Sequence, residues 1–434
     1  MALTFRPLAI LGLTALAGLL VFGTGCSDGK KTSGGGGANA TASSGADSGS
    51  SERLPEVAKM TPDPKKLEDR IRESIDKGIK YLRANQDAQN GWVYFIPGNP
   101  ETKHPGVTAM VLAAFFRSPR QYQPGDGPFV DRAVDWLVGL QKPDGAIFEH
   151  DNANYCTSLA ILALTSNKVV ASKYKPVIDK AVAFVARQQS NEENGYKKAD
   201  KYFGGVGYGN DERPDLSNTQ FGIEAAKAGG LDAGNKFFTD AIVFLQRCQN
   251  SGETNDSIWN VDGQEIRPGN DGGAIYAPGE NKAGIEVLPD GRKVFRSYGS
   301  MSYALLKSYV FCGLDRRDPK VKAVAKWCAE NFQLDLHPGF EPGPKADGQF
   351  QGLFYYYLTM ATALRVYGEP NLTDKTGIVH DWRKELAEHL MKRQSADGSC
   401  VNDKNKRWEE ASPVLCTGFA TLALIECLAS LTAK

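Results

Sequence analysis

Two kinds of helical segment alternate along most of this chain. In the first kind, apolar residues recur at three- and four-residue spacing among charged residues, which predicts amphipathic helices. In the second kind charged residues are nearly absent, and a helix that is apolar all round must be buried. The amphipathic segments are Leu67–Asn85, Phe129–Gln141, Val177–Gln189, Lys236–Gln249, Val321–Phe332 and Trp382–Gln394; the apolar segments are Val107–Phe116, Tyr155–Thr165, Asn218–Ala226, Met301–Phe311, Tyr355–Leu364 and Val414–Leu428.

The two kinds of segment form a repeat of six units. Five amphipathic segments end in Gln or Asn, and four of these are followed by a short turn that contains glycine, as in Gln141 to Gly145 and Gln394 to Gly398. Each helix hairpin can bury its apolar face only against its neighbours. We therefore predict an all-α fold, an (α/α)6 toroid with an apolar inner ring and an amphipathic outer ring. An open solenoid of the same units is the competing architecture.

A hydroxyl recurs in the same phase near the start of the apolar segments. The residues are Thr108, Thr157, Thr219, Ser302 and Thr417, with Thr359 less regular. Because Ser and Thr cap helix N-termini, we expect a structural capping role and no chemistry.

One insert, residues 250–296, interrupts the fourth hairpin. Its segment from Gly284 to Phe295 has two strand-like runs around Pro-Asp-Gly, which predicts a β-hairpin. Long ordered inserts in compact folds are usually lids or binding loops. Since it lies on the turn side, we expect it to cover one mouth of the toroid.

The N-terminal residues are typical of an export signal. An apolar run from Leu8 to Phe22 follows Arg6 and ends in small residues before Cys26, which resembles a bacterial lipoprotein cleavage site. Residues 1–26 are therefore assigned to a signal peptide with lipidation at Cys26; an ordinary secretory signal and an uncleaved anchor remain as alternatives. Residues 27–59 are rich in Gly and Ser and predict a flexible tether. The folded part is assigned to residues 60–434, in the bacterial cell envelope, either anchored in the membrane, periplasmic or secreted.

Composition restricts the partners. Lys+Arg and Asp+Glu both number 51, so no positive field is available for binding a nucleic acid. Seven cysteines follow Cys26, and none forms a CxxC pair. Most of them lie in apolar helical runs (Cys156, Cys312, Cys416 and Cys427), so buried thiols are expected rather than a metal site or a nucleophile. Whether Cys400 pairs with Cys416 stays open.

The glutamine, glycine and aromatic residue at the junctions resemble the repeat of the terpene cyclase/prenyltransferase superfamily. The complete form is Gln86 to Gly91-Trp92, and the resemblance runs over roughly residues 65–430. It implies a single squalene cyclase-like toroid domain (prenyltransferase/squalene oxidase repeat) whose central cavity holds an isoprenoid.

The catalytic groups of that superfamily are not retained. Asp215-Leu-Ser217-Asn218-Thr219 resembles the Asp-x-Asp-Asp-Thr motif of class II cyclases, but Ser217 stands where the resemblance implies the proton donor. A serine hydroxyl is too weak an acid to protonate an alkene. Asp215 remains as a candidate acid if burial raises its pKa, and otherwise caps the following helix. Phe354 to Thr359 contains no histidine where a prenyltransferase places a zinc ligand, so neither a metal nor another cofactor is predicted.

Aromatic residues cluster at the turn side of the hairpins and indicate a binding site. They suit an isoprenoid, a saccharide ring or an extended peptide, and their spacing does not choose among these ligands. The candidate ligand-binding residues are Trp92, Tyr208, Asn218, Trp259, Tyr276, Tyr298, Tyr355 and Tyr356.

The leading hypothesis is a tethered toroid that binds a ligand or partner at an aromatic mouth. The first alternative is an enzyme, acting either on isoprenoids through Asp215 or on carbohydrates through paired carboxylates near the mouth. Candidates for such a pair are Glu149, Asp151, Asp211, Glu212, Asp271 and Glu280. The second alternative is a protein-interaction scaffold.

Overall fold

The outer helices begin and end close to the predicted bounds. The computed structural model describes residues 65–87, 91–92, 104–209, 213–255 and 257–433. The amphipathic helices in this part are α1 (Leu67–Ala84), α3 (Pro128–Gly139), α6 (Lys175–Arg187), α8 (Lys236–Cys248), α10 (Pro319–Glu330) and α12 (Trp382–Arg393), with a short α5 (Lys168–Lys173) before α6.

The inner helices form a closed ring. They are α2 (Pro105–Arg117), α4 (Ala153–Thr165), α7 (Leu216–Ala228), α9 (Gly299–Phe311), α11 (Leu353–Tyr367) and α13 (Pro413–Thr432). Each packs against the next, and α13 packs against α2. Most of their side chains are buried on every face, as the absence of charge predicts. The all-α toroid of six hairpins is therefore confirmed, and the open solenoid is wrong.

The repeated glutamines join neighbouring outer helices. Gln141 Nε2 donates to the carbonyl of Gly145 in its own turn, at 3.3 Å, and to that of Val177 on α6, at 2.8 Å. Gln189 and Gln249 repeat this arrangement with α8 and α10. Gln394 does the same with Gly398 and with Ser74 on α1. The last bond joins the end of the repeat to its beginning.

The repeated glycines allow each turn to approach the next outer helix. Gly398 has φ +94°, and a Cβ there would lie 2.3 Å from the carbonyl oxygen of Lys77. Gly145 has φ +99° and would place a Cβ 2.2 Å from the carbonyl oxygen of Lys180. Both positions therefore need glycine for conformation and for space.

The repeated hydroxyls do not cap helix starts. Thr157 Oγ1 accepts a hydrogen bond from the backbone N–H of Ile147 at 2.8 Å, and Thr219 Oγ1 accepts one from Val206 at 2.9 Å. The same contact to the preceding turn occurs at Thr108, Ser302 and Thr417. The structural role is confirmed, but the capping prediction is wrong, because these side chains satisfy donors of the turn rather than of their own helix.

The insert between α8 and α9 contains two hairpins. Strands β3 (Ile285–Val287) and β4 (Lys293–Phe295) form the predicted one. Strands β1 (Trp259–Val261) and β2 (Gln264–Ile266) form another, which was not predicted although Asp262-Gly263 is a recognised hairpin turn. A third hairpin, β5 (Asn371–Thr373) and β6 (Val379–Asp381), joins α11 to α12 and was also not predicted.

The described residues belong to one compact unit, Asp63–Lys434. The signal segment, the tether and Cys26 lie outside the described residues. Within the part of the chain that the structure describes, α13 alone is long and apolar enough to cross a membrane, and 72% of its apolar window is buried in the toroid. That burial is what a core helix of the inner ring requires. All seven cysteines after Cys26 are free thiols, Cys400 and Cys416 included.

Candidate functional site

A cavity of about 360 Å³ opens at the end of the ring where the inner helices begin. We call it the mouth cavity. Gly106 on α2, Tyr155 on α4, Ser217 on α7, Ser300 on α9, Tyr355 on α11 and Leu415 on α13 line it, all within the first turns of their helices. Tyr276 and Lys282 of the insert also line it. The insert therefore covers this mouth, as predicted.

Four of the predicted ligand-binding residues face this cavity, namely Tyr208, Tyr276, Tyr298 and Tyr355. Their hydroxyls and rings form one wall, in which the hydroxyls of Tyr208 and Tyr276 lie 3.2 Å apart. Tyr155 stacks on Tyr208 with ring centroids 6.1 Å apart and extends this wall.

The other four lie away from the cavity and serve the core. Trp92 is fully buried, and its indole N–H donates to the carbonyl of Leu82. Trp259 packs on Phe295 inside the insert. Tyr356 donates to the carbonyl of Gln333 and stacks on a histidine, and Asn218 donates to the carboxylate of Asp215. These four residues do not line the mouth cavity, because each packs against other parts of the fold, and their role in ligand binding stays a prediction.

Ser217 lies at the centre of a hydroxyl network in the mouth cavity. Its Oγ is hydrogen-bonded to the phenol of Tyr155 and lies 2.8 Å from the phenol oxygen of Tyr355. Gln220 Nε2 donates to Tyr355 Oη at 3.3 Å. Burial raises the pKa of Tyr355 to about 12 and that of Tyr155 well above its ordinary value. These groups are therefore neutral at physiological pH, and they present hydrogen bonds without a charge.

Asp215 is buried behind the cavity wall. Its carboxylate caps α7 by accepting from the backbone N–H of Asn218 at 2.8 Å and from Asn218 Nδ2 at 2.8 Å. Burial raises the pKa of Asp215 to about 6, although the hydrogen bonds from Asn218 and from the phenol of Tyr276 oppose that rise. The Asp215 carboxyl therefore links the start of α7 to Tyr276 of the insert. Tyr276 in turn lines the mouth cavity.

Trp408 and Glu409 also line the mouth cavity and were not predicted from the sequence. Both adopt left-handed backbone conformations, with φ of 57° and 63°, a strained arrangement for residues other than glycine. The next residue, Glu410, holds the segment in place, because it accepts from the backbone N–H groups of Phe354 and Tyr355 at 2.8 and 2.9 Å. No local sequence pattern distinguishes the turn at Trp408 and Glu409. The closure of the ring brings this turn to the mouth cavity.

Sequence comparison gives a partial match to one family. The profile of the squalene-hopene cyclase C-terminal domain matches residues 99–264. No curated protein sequence matches the chain.

Solved structures match over nearly the whole folded part. The type II terpene cyclase MstE from Scytonema superimposes with a TM-score of 0.51 at 13% identity, covering 84% of this chain and 100% of the cyclase. The chain therefore has the α/α toroid fold that this terpene cyclase also has. A variant of the same cyclase in complex with geranylgeranyl dihydroxybenzoate gives a TM-score of 0.50 at 12% identity, covering 84% of this chain and 99% of that one.

A carbohydrate enzyme has a similar fold. An unsaturated glucuronyl hydrolase specific for heparin superimposes with a TM-score of 0.51 at 12% identity, covering 84% of this chain and 98% of the hydrolase. Identities this low show the fold alone. The chemistry available to this toroid therefore depends on the residues that line its mouth cavity.

Proposed function

We propose that this toroid binds an apolar, isoprenoid-like molecule in the mouth cavity and does not start its chemistry by the protonation route of class II cyclases. The observation that carries the proposal is that Ser217 lines the cavity within a network of neutral hydroxyls, and the resemblance to the class II motif implies that Ser217 replaces the proton donor. A serine hydroxyl supplies a hydrogen bond but not a proton of the strength that an alkene requires.

The walls of the cavity support an apolar ligand. Phe221, Met110, Met301 and Phe419 surround the hydroxyl network, and the volume of about 360 Å³ lies within the usual range for small-molecule sites. Further support comes from the geranylgeranyl compound bound by the cyclase of similar fold. In this arrangement the chain of the ligand packs against aromatic faces, and its polar end meets Ser217 and Tyr355.

Carbohydrate cleavage is less well supported. Glycosidases work with two carboxyl groups about 5 to 9.5 Å apart. Among the described residues, Glu409 is the one carboxylate that lines the mouth cavity. Glu280 forms ion pairs with Arg213 and Lys282, and Asp271 accepts hydrogen bonds from Ser297 and Trp327. Asp211 and Glu212 lie outside the described residues.

The test is direct binding of a prenol to the full chain. Geranylgeraniol should remain bound in native mass spectra of the wild type. A Leu415→Trp variant fills the mouth cavity and should lose it, whereas Tyr356→Phe changes a tyrosine outside the cavity and should keep it. No retention by the wild type, or equal retention by both variants, would refute the proposal; retention of an unsaturated glucuronide instead would favour the hydrolase.

We also propose that the toroid is held at a bacterial envelope membrane through a lipid on Cys26. The support is the sequence around Cys26 and the polar segment 27–59 that follows it. Labelled palmitate should enter the wild type and not a Cys26→Ser variant, and the variant should leave the membrane fraction. A variant that keeps the label would contradict this assignment.

A further inference from the structure

A second cavity, of about 190 Å³, lies at the opposite end of the ring. We call it the far cavity. Arg117 on α2, Thr165 on α4, Ala228 on α7 and Arg365 on α11 line it, all in the second half of their helices. The mouth cavity is lined by the first turns of the same helices. The two cavities are therefore separated along the axis of the toroid.

Basic groups outnumber acidic groups at the far cavity. Arg117, Lys307 and Arg365 line it, while Glu224 lines it and Glu426 lies fully buried behind it. Burial alone would raise the pKa of Glu426, but Arg117 and Arg365 outweigh that effect and hold its pKa below the ordinary value. Glu426 is thus ionised, and three cations face two carboxylates.

The ion pairs leave capacity for a further anion. Glu426 accepts from Arg117 Nη2 at 2.5 Å and pairs with Arg365 Nε, whereas each guanidinium carries five N–H donors. The side chains of Arg117 and Arg365 are 29% and 42% exposed, so both reach solvent at the cavity. Lys307 is 3% exposed and pairs with Glu224 at 2.5 Å.

An apolar septum separates the two cavities. Met110, Leu159, Phe221 and Phe419 line both of them. An amphiphile whose acyl or prenyl chain packs on these side chains would place its polar head group near Arg117, Lys307 and Arg365, and its chain would extend toward the mouth cavity.

We propose that the far cavity binds a small oxyanion, a phosphate or carboxylate group, between Arg117, Arg365 and Lys307. Guanidinium groups bind such oxyanions through charge-assisted, often paired hydrogen bonds. The anion is either free in solution or the head group of an amphiphile whose chain packs on the septum. The contacts to the oxyanion do not depend on what the mouth cavity binds, because Arg117, Arg365 and Lys307 do not line that cavity.

The experiment titrates the full chain by calorimetry with inorganic phosphate, octyl phosphate and octanol. The phosphate probes should bind, and Arg365→Gln should weaken them by about tenfold without changing octanol. Glu224→Gln removes a negative charge and frees Lys307, so it should tighten the phosphate probes, a gain that misfolding cannot produce. Lys282→Gln, which changes a cation of the mouth cavity, is the matched control and should leave the phosphate probes unchanged.

The outcomes separate the two sources of the anion. Octyl phosphate that binds at least tenfold more tightly than inorganic phosphate indicates an amphiphile, and equal affinities indicate a free anion. Failure of both phosphate probes to bind, or weaker binding by Glu224→Gln, overturns the proposal. The Leu415→Trp variant should keep phosphate binding, so a failure at the far cavity is distinguishable from a failure at the mouth.

Discussion

Replacing Gln394 by methionine tests how much the closing contact of the ring contributes to stability. Gln394 Nε2 donates to the carbonyl of Ser74 at 3.0 Å and to that of Gly398 at 3.1 Å, and Gln394 Oε1 accepts from the hydroxyl of Ser74 at 2.7 Å. Methionine fills a similar volume and makes none of these bonds. The change therefore removes two hydrogen bonds between α1 and the last hairpin and one within the turn of that hairpin, without leaving a large cavity.

The expected cost follows from that count. A neutral hydrogen bond contributes about 1 kcal/mol net, so the free energy of unfolding should fall by about 3 kcal/mol. Gln141→Met removes two bonds, one of them long at 3.3 Å, and should cost about 2 kcal/mol or less. Gln264→Met, on the exposed face of β2, is the control and should stay within about 0.5 kcal/mol.

Urea unfolding followed by far-UV circular dichroism measures all three variants. The midpoint should shift while the slope against urea stays constant, since an unchanged slope shows that the compactness of both states is unchanged. A loss below about 1 kcal/mol for Gln394→Met would refute the view that this side chain closes the ring. Equal losses for Gln394→Met and Gln264→Met would refute it as well.

Three further outcomes can be measured in the same unfolding assay. Thr157→Val should cost about 1 to 3 kcal/mol, because it leaves a buried N–H of the turn without its acceptor; a change near zero would mean that water replaces the hydroxyl. Gly398→Ala should cost clearly more than Gly377→Ala, since both have positive φ but only Gly398 would place its Cβ against a carbonyl of α1; equal costs would contradict the close approach. The folded state keeps the proton of Asp215 up to a pKa of about 6, against an ordinary value of 3.8, so up to ~3 kcal/mol of stability is lost as pH rises from about 4 to above 6. Unfolding curves between pH 4 and pH 8 should show a smaller decline for Asp215→Asn than for the wild type, and identical declines would exclude Asp215 as the source.

The repeat could be predicted from the sequence, because every unit combines an amphipathic segment with an uncharged one. An amphipathic segment must lie at the surface of the ring, and an uncharged one must lie inside it. Gln141 and Gln394, each four residues before a glycine, marked the junctions, and the structure shows that these side chains bridge neighbouring hairpins. The hairpin from Ile285 to Phe295 was readable for a similar reason, since its turn has a specific residue preference.

The residues that line the mouth cavity could not be predicted from the sequence in the same way. Tyr355 and Tyr356 are adjacent on α11, yet Tyr355 lines the mouth cavity and Tyr356 is fully buried against His337. An inner helix is apolar all round, so its sequence carries no amphipathic signal that tells the face toward the axis from the face toward the outer ring.

Contacts between distant segments decided the rest. Trp408 and Glu409 reach the mouth because Glu410 is bound to the start of α11, more than fifty residues earlier in the chain. Arg117 and Arg365 converge on Glu426 only when the ring closes. The sequence by itself determined the helices and their burial, because those depend on local periodicity. Tertiary structure alone decided which side chains share a cavity, because that depends on how six separate hairpins meet around one axis.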